Sequence, residues 1–266
     1  MRFLLTATMV CLLASPAYAQ LAPPNQAGLT YGHVHLNVRD IEVHKKLWVE
    51  HFGGVVVQKG PLTAVRIPGM LVALSPREPS GGSQGTAMDH FGFKVRNLEA
   101  FLAKWRAAGL PVTGEFTGAE GFPNAYVMAP DDIRVELQED QTLSVEASAY
   151  HIHFLTPEYE GLLDWYIETF SLERRARGRL QTTADAPGMN LSFGNAETPT
   201  VGTRGRAIDH IGFEVDNLKA FCKMLEARGI EFDVAFREVA SVELNIAYFT
   251  DPSGVYIELT EGYDEY

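Results

Sequence analysis

Metal-ligating side chains recur along this sequence at matched intervals. Six histidines, His33, His35, His90, His151, His153 and His210, lie in four segments where apolar and polar residues alternate. "YGHVHLNV" carries His33 and His35, and "YHIHFL" carries His151 and His153. An i, i+2 spacing on a strand sends both imidazoles to one face. "DHFGFKV" and "DHIGFEV" carry His90 and His210. Glu136 and Glu258 sit in the strand-like runs "IRVELQ" and "YIELTE", where alternation turns each carboxylate away from its apolar neighbours. Two histidines and one carboxylate, with coordination positions left open, are a known way to hold a catalytic divalent metal. Openness separates a site that takes water or substrate from a closed structural one. A lone histidine on a strand is more often an ordinary hydrogen-bonded residue; the recurrence of the set carries the metal reading.

Other groups fall beside these ligands. His35, His153, Tyr126 and Tyr248 are the candidates to move a proton. Arg134 lies two residues before Glu136, hence on its face, and is placed to pair with an anionic substrate; Tyr256 holds that place before Glu258. His44 and His51, seven apart on the first helix, read as solvated surface.

The elements that position these residues are repeated. "DHFGFKVRNLEAFLAKWRAAG" begins at Asp89 and "DHIGFEVDNLKAFCKMLEARG" at Asp209, 120 residues later. "AYVMAPDDIRVELQE" and "AYFTDPSGVYIELTE" repeat the endings, and "HVHLNV" and "HIHFLT" the openings. Each copy subdivides again into a strand, an amphipathic helix and three strand-like runs. The second helix shows its stripe at Leu98, Phe101, Leu102 and Trp105. The expected fold is α+β: four βαβββ modules paired into two domains, 29–141 and 147–262, joined by "EDQTLSVEAS".

Composition narrows the function classes. The chain is 46% hydrophobic, which is globular, and carries a formal net charge of −12. An acidic chain with no basic run argues against nucleic acid and anionic membrane surfaces as partners and says nothing positive about the ligand; the expected partner, a small-molecule substrate, comes from the metal-site chemistry. "MRFLLTATMVCLLASPAYAQ" has a basic residue, a short apolar run and Ala17-Tyr18-Ala19 before Gln20, the pattern of a secretory signal peptide over residues 1–19. Secretion or a periplasmic location is expected, with no membrane association after cleavage. Cys222 then remains as the single cysteine, on the apolar stripe of its helix, and reads as a buried structural thiol.

The motifs "HVHLNVRDIE", "DHFGFKVRNLE", "DHIGFEVDNLKAF" and "DPSGVYIELTE", in this order over nearly all of the chain after residue 19, resemble the vicinal oxygen chelate superfamily. That superfamily includes glyoxalase I, extradiol dioxygenases, fosfomycin-resistance proteins and bleomycin-binding proteins. The resemblance implies paired modules curled around a metal cup, with ligands on the opening and closing strands. It implies one divalent ion per competent domain, iron, manganese or zinc, held by His33, His90 and Glu136 in the first domain and by His151, His210 and Glu258 in the second. Glyoxalase-type sites add a fourth ligand from "MLVALSPRE" or "MNLSFGNAE", where no acid stands mid-strand. The three-ligand set therefore resembles those of extradiol dioxygenases and fosfomycin-resistance proteins, and the active-site tyrosine of the dioxygenases is matched in spacing by Tyr248 and Tyr126. Val239 and Thr117 stand near the place of those enzymes' acid–base histidine, which leaves His35 and His153 as substitutes. The expected function is an exported, metal-dependent, dioxygenase-like enzyme. A glyoxalase-like lyase or isomerase, a fosfomycin-resistance-like transferase, and a metal-free binding protein are the alternatives, and a homodimer stays open.

Overall fold

The computed structural model describes residues 21–263; the expected signal peptide lies outside them. The four modules appear in order. The first comprises β1 (Leu29–Val38), α1 (Ile41–Phe52), β2 (Val55–Lys59), β3 (Leu62–Ile67) and β4 (Met70–Pro76). The second comprises β5 (Met88–Val95), α2 (Leu98–Ala107), β6 (Val112–Thr117), β7 (Pro123–Ala129) and β8 (Ile133–Glu139). The third comprises β9 (Ala147–Leu155), α3 (Tyr159–Phe170), β10 (Glu173–Arg174), β11 (Thr183–Ala186) and β12 (Met189–Gly194). The fourth comprises β13 (Ile208–Val215), α4 (Leu218–Ala227), β14 (Val234–Val239), β15 (Leu244–Thr250) and β16 (Tyr256–Glu261). The repeated "NL" dipeptides start two of the helices: Asn97 and Asn217 each accept a backbone N–H three residues on, from Ala100 and Ala220.

The modules form two eight-stranded mixed sheets, ordered β14-β15-β16-β13-β1-β4-β3-β2 and β10-β11-β12-β9-β5-β8-β7-β6. Module one thus shares a sheet with module four, and module two with module three. Each repeat of the sequence spans both sheets. The reason is visible in the connections. Only residues 140–146 separate β8 from β9, and both strands flank β5. The crossovers between sheets run side by side instead, with Ala87 N–H on Val201 O and Ala207 N–H on Gly81 O.

The sheets are curled. Lys59 on β2 and Glu243 beside β14 meet at 3.0 Å, although β2 and β14 are opposite edges of one sheet. The helices fill the space between the sheets. Trp48 and Phe52 of α1 pack on Phe91 and Phe93 of the other sheet's β5, with Phe52 and Phe93 centroids 4.6 Å apart. This packing overturns the surface reading of two histidines. His44 is fully buried and bonds Asp131 at 3.0 Å, and His51 meets the Trp105 ring edge-on at 4.9 Å. Module two covers a helix face that, within module one alone, faces solvent. Cys222 is buried as expected, and burial pushes its thiol up to about 11. Among the described residues no helix is long and apolar enough to cross a membrane.

Candidate metal centres

The first cup forms where β1 and β13 run antiparallel, with Gly212 opposite His33 and His210 opposite His35. Gly212 is required there: a Cβ would stand 1.9 Å from His33 Cε1. The neighbouring β16 brings Glu258 level with Gly212. His33 Nε2 and His210 Nε2 converge on Glu258 Oε2 at 2.9 and 3.0 Å, and the Tyr248 hydroxyl donates to Oε1. His210 Nδ1 donates to Asp209 Oδ1 at 2.6 Å. Asp209 is itself held by Asn37 Nδ2 and the Gly205 N–H.

The second cup repeats this around β5 and β9. Gly92 lies opposite His151, and a Cβ on it would stand 2.2 Å from His151 Cε1. His90 Nε2 and His151 Nε2 converge on Glu136 Oε2 at 3.0 and 3.2 Å. His90 Nδ1 donates to Asp89 Oδ1 at 2.7 Å, which also accepts from Arg134. Here Glu136 Oε1 accepts from Asn124 Nδ2 at 2.6 Å, while Tyr126 packs edge-on to His90 under the Arg134 guanidinium.

The ligand grouping expected from consecutive modules is therefore corrected. His33 stands with His210 and Glu258, and His151 with His90 and Glu136. His35 and His153, expected as proton-moving groups, bring a ring nitrogen within the same clusters: one donor atom from each of His33, His35, His210 and Glu258 lies within 4.8 Å of the others, and so it is for His90, Glu136, His151 and His153. His35 Nε2 also bonds Ser75 Oγ at 2.7 Å. Tyr256, expected at the substrate, stacks on Tyr248 at 5.1 Å and carries Arg204 over its ring. Sequence reasoning missed Asp89, Asp209, Asn124, Ser75 and Arg177. The repeated "DH" dipeptide was the available signal for the two aspartates. Arg177 lies in a loop where the modules diverge and left none.

Electrostatics separates the imidazoles. Burial opposes the cation at His210, but hydrogen bonds to Asp209 and Glu258 outweigh it and raise the group to about 9. His90 is raised in the same way. Burial, with repulsion from His210, pushes His35 down to about 3. Burial also brings His151 to about 4 and holds His153 well below its ordinary value. Burial alone would raise both glutamates, yet the facing histidines hold Glu258 and Glu136 well below the usual carboxylate range.

The donors fit a divalent metal. An aspartate on Nδ1 fixes the tautomer of His90 and His210 and aims Nε2 inward, the arrangement that usually orients a ligating histidine. Nitrogen and carboxylate donors spread over less than 4.8 Å match ligand bonds of roughly 2.0–2.2 Å around one ion. Iron, manganese and zinc all accept such a set.

A family model described as Glyoxalase/Bleomycin resistance protein/Dioxygenase superfamily matches residues 30–137 and 148–259, and the chain belongs to that superfamily. No curated protein matches the chain. Among solved structures, glyoxalase I from Zea mays is similar at 15% identity and TM-score 0.70, covering 89% of this chain and 94% of its own. A putative dioxygenase from Bacillus subtilis is similar at 12% identity and TM-score 0.69, covering 91% and 86%. Identities this low establish the shared fold.

Proposed function

We propose that this protein is an exported, metal-dependent enzyme that acts on a small oxygenated molecule in the first cup. One observation carries the reading. A cavity of about 240 Å³ opens over that cup, with His35, Tyr248 and Glu258 at its polar end. Leu62, Val239, Val242, Leu244 and Ile246 give it an apolar wall, with Arg237 and Ser241 also on its lining. That volume is below the range of drug-sized pockets and suits a ligand of about one ring.

His33, His210 and Glu258 would hold the ion. When bound, a divalent metal supplies Lewis acidity toward two neighbouring oxygens of a substrate. The chain supplies the proton movement. His35 is neutral at pH 7, and in the tautomer that donates Nε2–H to Ser75 Oγ its Nδ1 is the bare base. The Tyr248 proton is committed to Glu258, so this tyrosine holds the carboxylate. The reading favoured by the Ser75 bond is dioxygenase-like, with three ligands and His35 as base. A second, lyase or isomerase reading is favoured by the position of His35 inside the four-donor cluster.

Oxygen uptake with catechol as probe, on iron- or manganese-loaded protein, tests the first. Uptake that His35→Ala lowers at unchanged metal content supports it. A metal content that falls with His35→Ala, without oxygen uptake by the unaltered chain, supports the second. Less than about a tenth of an equivalent of metal after reconstitution overturns both, because a ligand set of this kind binds its ion tightly. Export is tested by the N-terminus of the protein recovered outside the cytoplasm, expected at Gln20.

A further inference from the structure

The cups differ most in what surrounds their ligands, and the second is lined by polar groups whose hydrogen-bonding capacity is not used. Asn124 and Gln138, cross-strand partners on β7 and β8, are 2% and 1% exposed. Asn124 gives its amide to Glu136, and Gln138 Nε2 donates to Glu120 Oε2 at 2.9 Å. Those carboxylates fix both amide orientations, because the reverse would set carbonyl oxygen against carboxylate. Asn124 Oδ1 and Gln138 Oε1 are then left buried with no partner, and both are acceptors.

Arg177 supplies the opposite need. It is 6% exposed and its Nε has no partner; its guanidinium interacts with the Tyr150 hydroxyl and, through charge, with Glu120. It sits over the ring of Tyr150, whose hydroxyl bonds the same Glu120 that receives Gln138. Its loop is fixed in place. Arg177 and Leu180 exchange backbone hydrogen bonds, and Arg179 N–H bonds Ala119 O at 3.0 Å, across the cup on the β6–β7 turn. A buried guanidinium with an unused N–H donor is costly to leave unsatisfied and is a place for an anion to bind. On the first cup the matching register positions are Ile246 and Thr260, and the two-residue turn Gly60-Pro61 replaces the Arg177 loop.

We propose that the second cup binds a small hydroxylated carboxylate: the Arg177 guanidinium takes the carboxylate, and Asn124 Oδ1 and Gln138 Oε1 accept from its hydroxyls. Arg134, paired with Asp89 but with its Nε unpartnered, borders the same cup. The inference stands on the second cup alone and does not depend on which reaction the first performs.

Calorimetric titration of the full metal-free chain with glycerate tests it, with propionate as the hydroxyl-free acid. Glycerate is expected to bind one per chain, and propionate roughly fivefold to tenfold more weakly for each lost hydrogen bond. Arg177→Gln is expected to weaken glycerate by tenfold or more, as removal of one partner of a buried charge pair does. Gln138→Met keeps volume and removes only the acceptor. It carries the test if Arg177→Gln fails to fold, and it is expected to reduce the preference for glycerate over propionate. Absence of glycerate binding, equal binding of the two acids, or binding that survives Arg177→Gln overturns the proposal.

Discussion

The two cups are copies of one design with different contents. Each has a glycine opposite a histidine, an aspartate behind a second histidine, and a glutamate at the centre. Around the first, Ala64, Leu71, Ala73, Val242, Leu244, Ile246 and Tyr263 form an apolar cluster separate from the main core. Around the second stand Asn124, Gln138, Glu120 and Arg177. Ligand positions stay fixed by strand register, while the lining changes one side chain at a time without disturbing the sheet.

The largest effect should come from a central carboxylate. Glu258→Gln is expected to empty the first cup and lower its activity roughly 10³-fold or more, several kcal/mol of lost charge stabilisation. Metal analysis should show the second cup still filled; loss from both cups would dissolve the comparison. Next is the pair of glycines. Gly212→Ala forces a Cβ into the His33 ring and is expected to cost about 1–3 kcal/mol by thermal denaturation, together with the first cup's metal. Gly92→Ala should do the same to the second cup. Unchanged stability in either would contradict the close approach.

Smaller effects come from the supporting groups. Asp209→Asn should weaken metal binding in the first cup about 10–100-fold, and Asp89→Asn in the second. Competition with a chelator measures both, and equal loss from both cups on either change would argue against separate support.

The pH response has a definite sign. In the metal-free protein His210 is raised from 6.5 to about 9. A raised histidine stabilises the fold fully below about 6.5, and this contribution is lost as pH rises through about 9. The Nε2 proton must also leave before a metal binds, so affinity should climb from pH 6 toward about 9. A flat affinity over that window would contradict the assignment.

Much of this was legible in the sequence. The repeat around Asp89 and Asp209 gave the modules, and alternation gave the shared faces of the histidines and glutamates. Their partnering was not legible, because β1, β5, β9 and β13 offer equivalent edges and a periodic sequence does not say which two will meet. The burial of His44 and His51 depended on that same pairing. The contrast between Asn124 and Ile246 stood in the aligned runs "NAY" and "IAY", but its meaning depends on Glu136 needing a donor where Glu258 has Tyr248. Arg177 reaches its cup through a loop the other modules lack, so no repeat could reveal it.

His33 belongs with Glu258 and not with Glu136. Metal stoichiometry of two double variants tests this pairing directly. After reconstitution, His33→Ala with Glu258→Gln should lose the metal of one cup, and His33→Ala with Glu136→Gln the metal of both. Loss of a single cup's metal from the second variant and of both from the first would contradict the account.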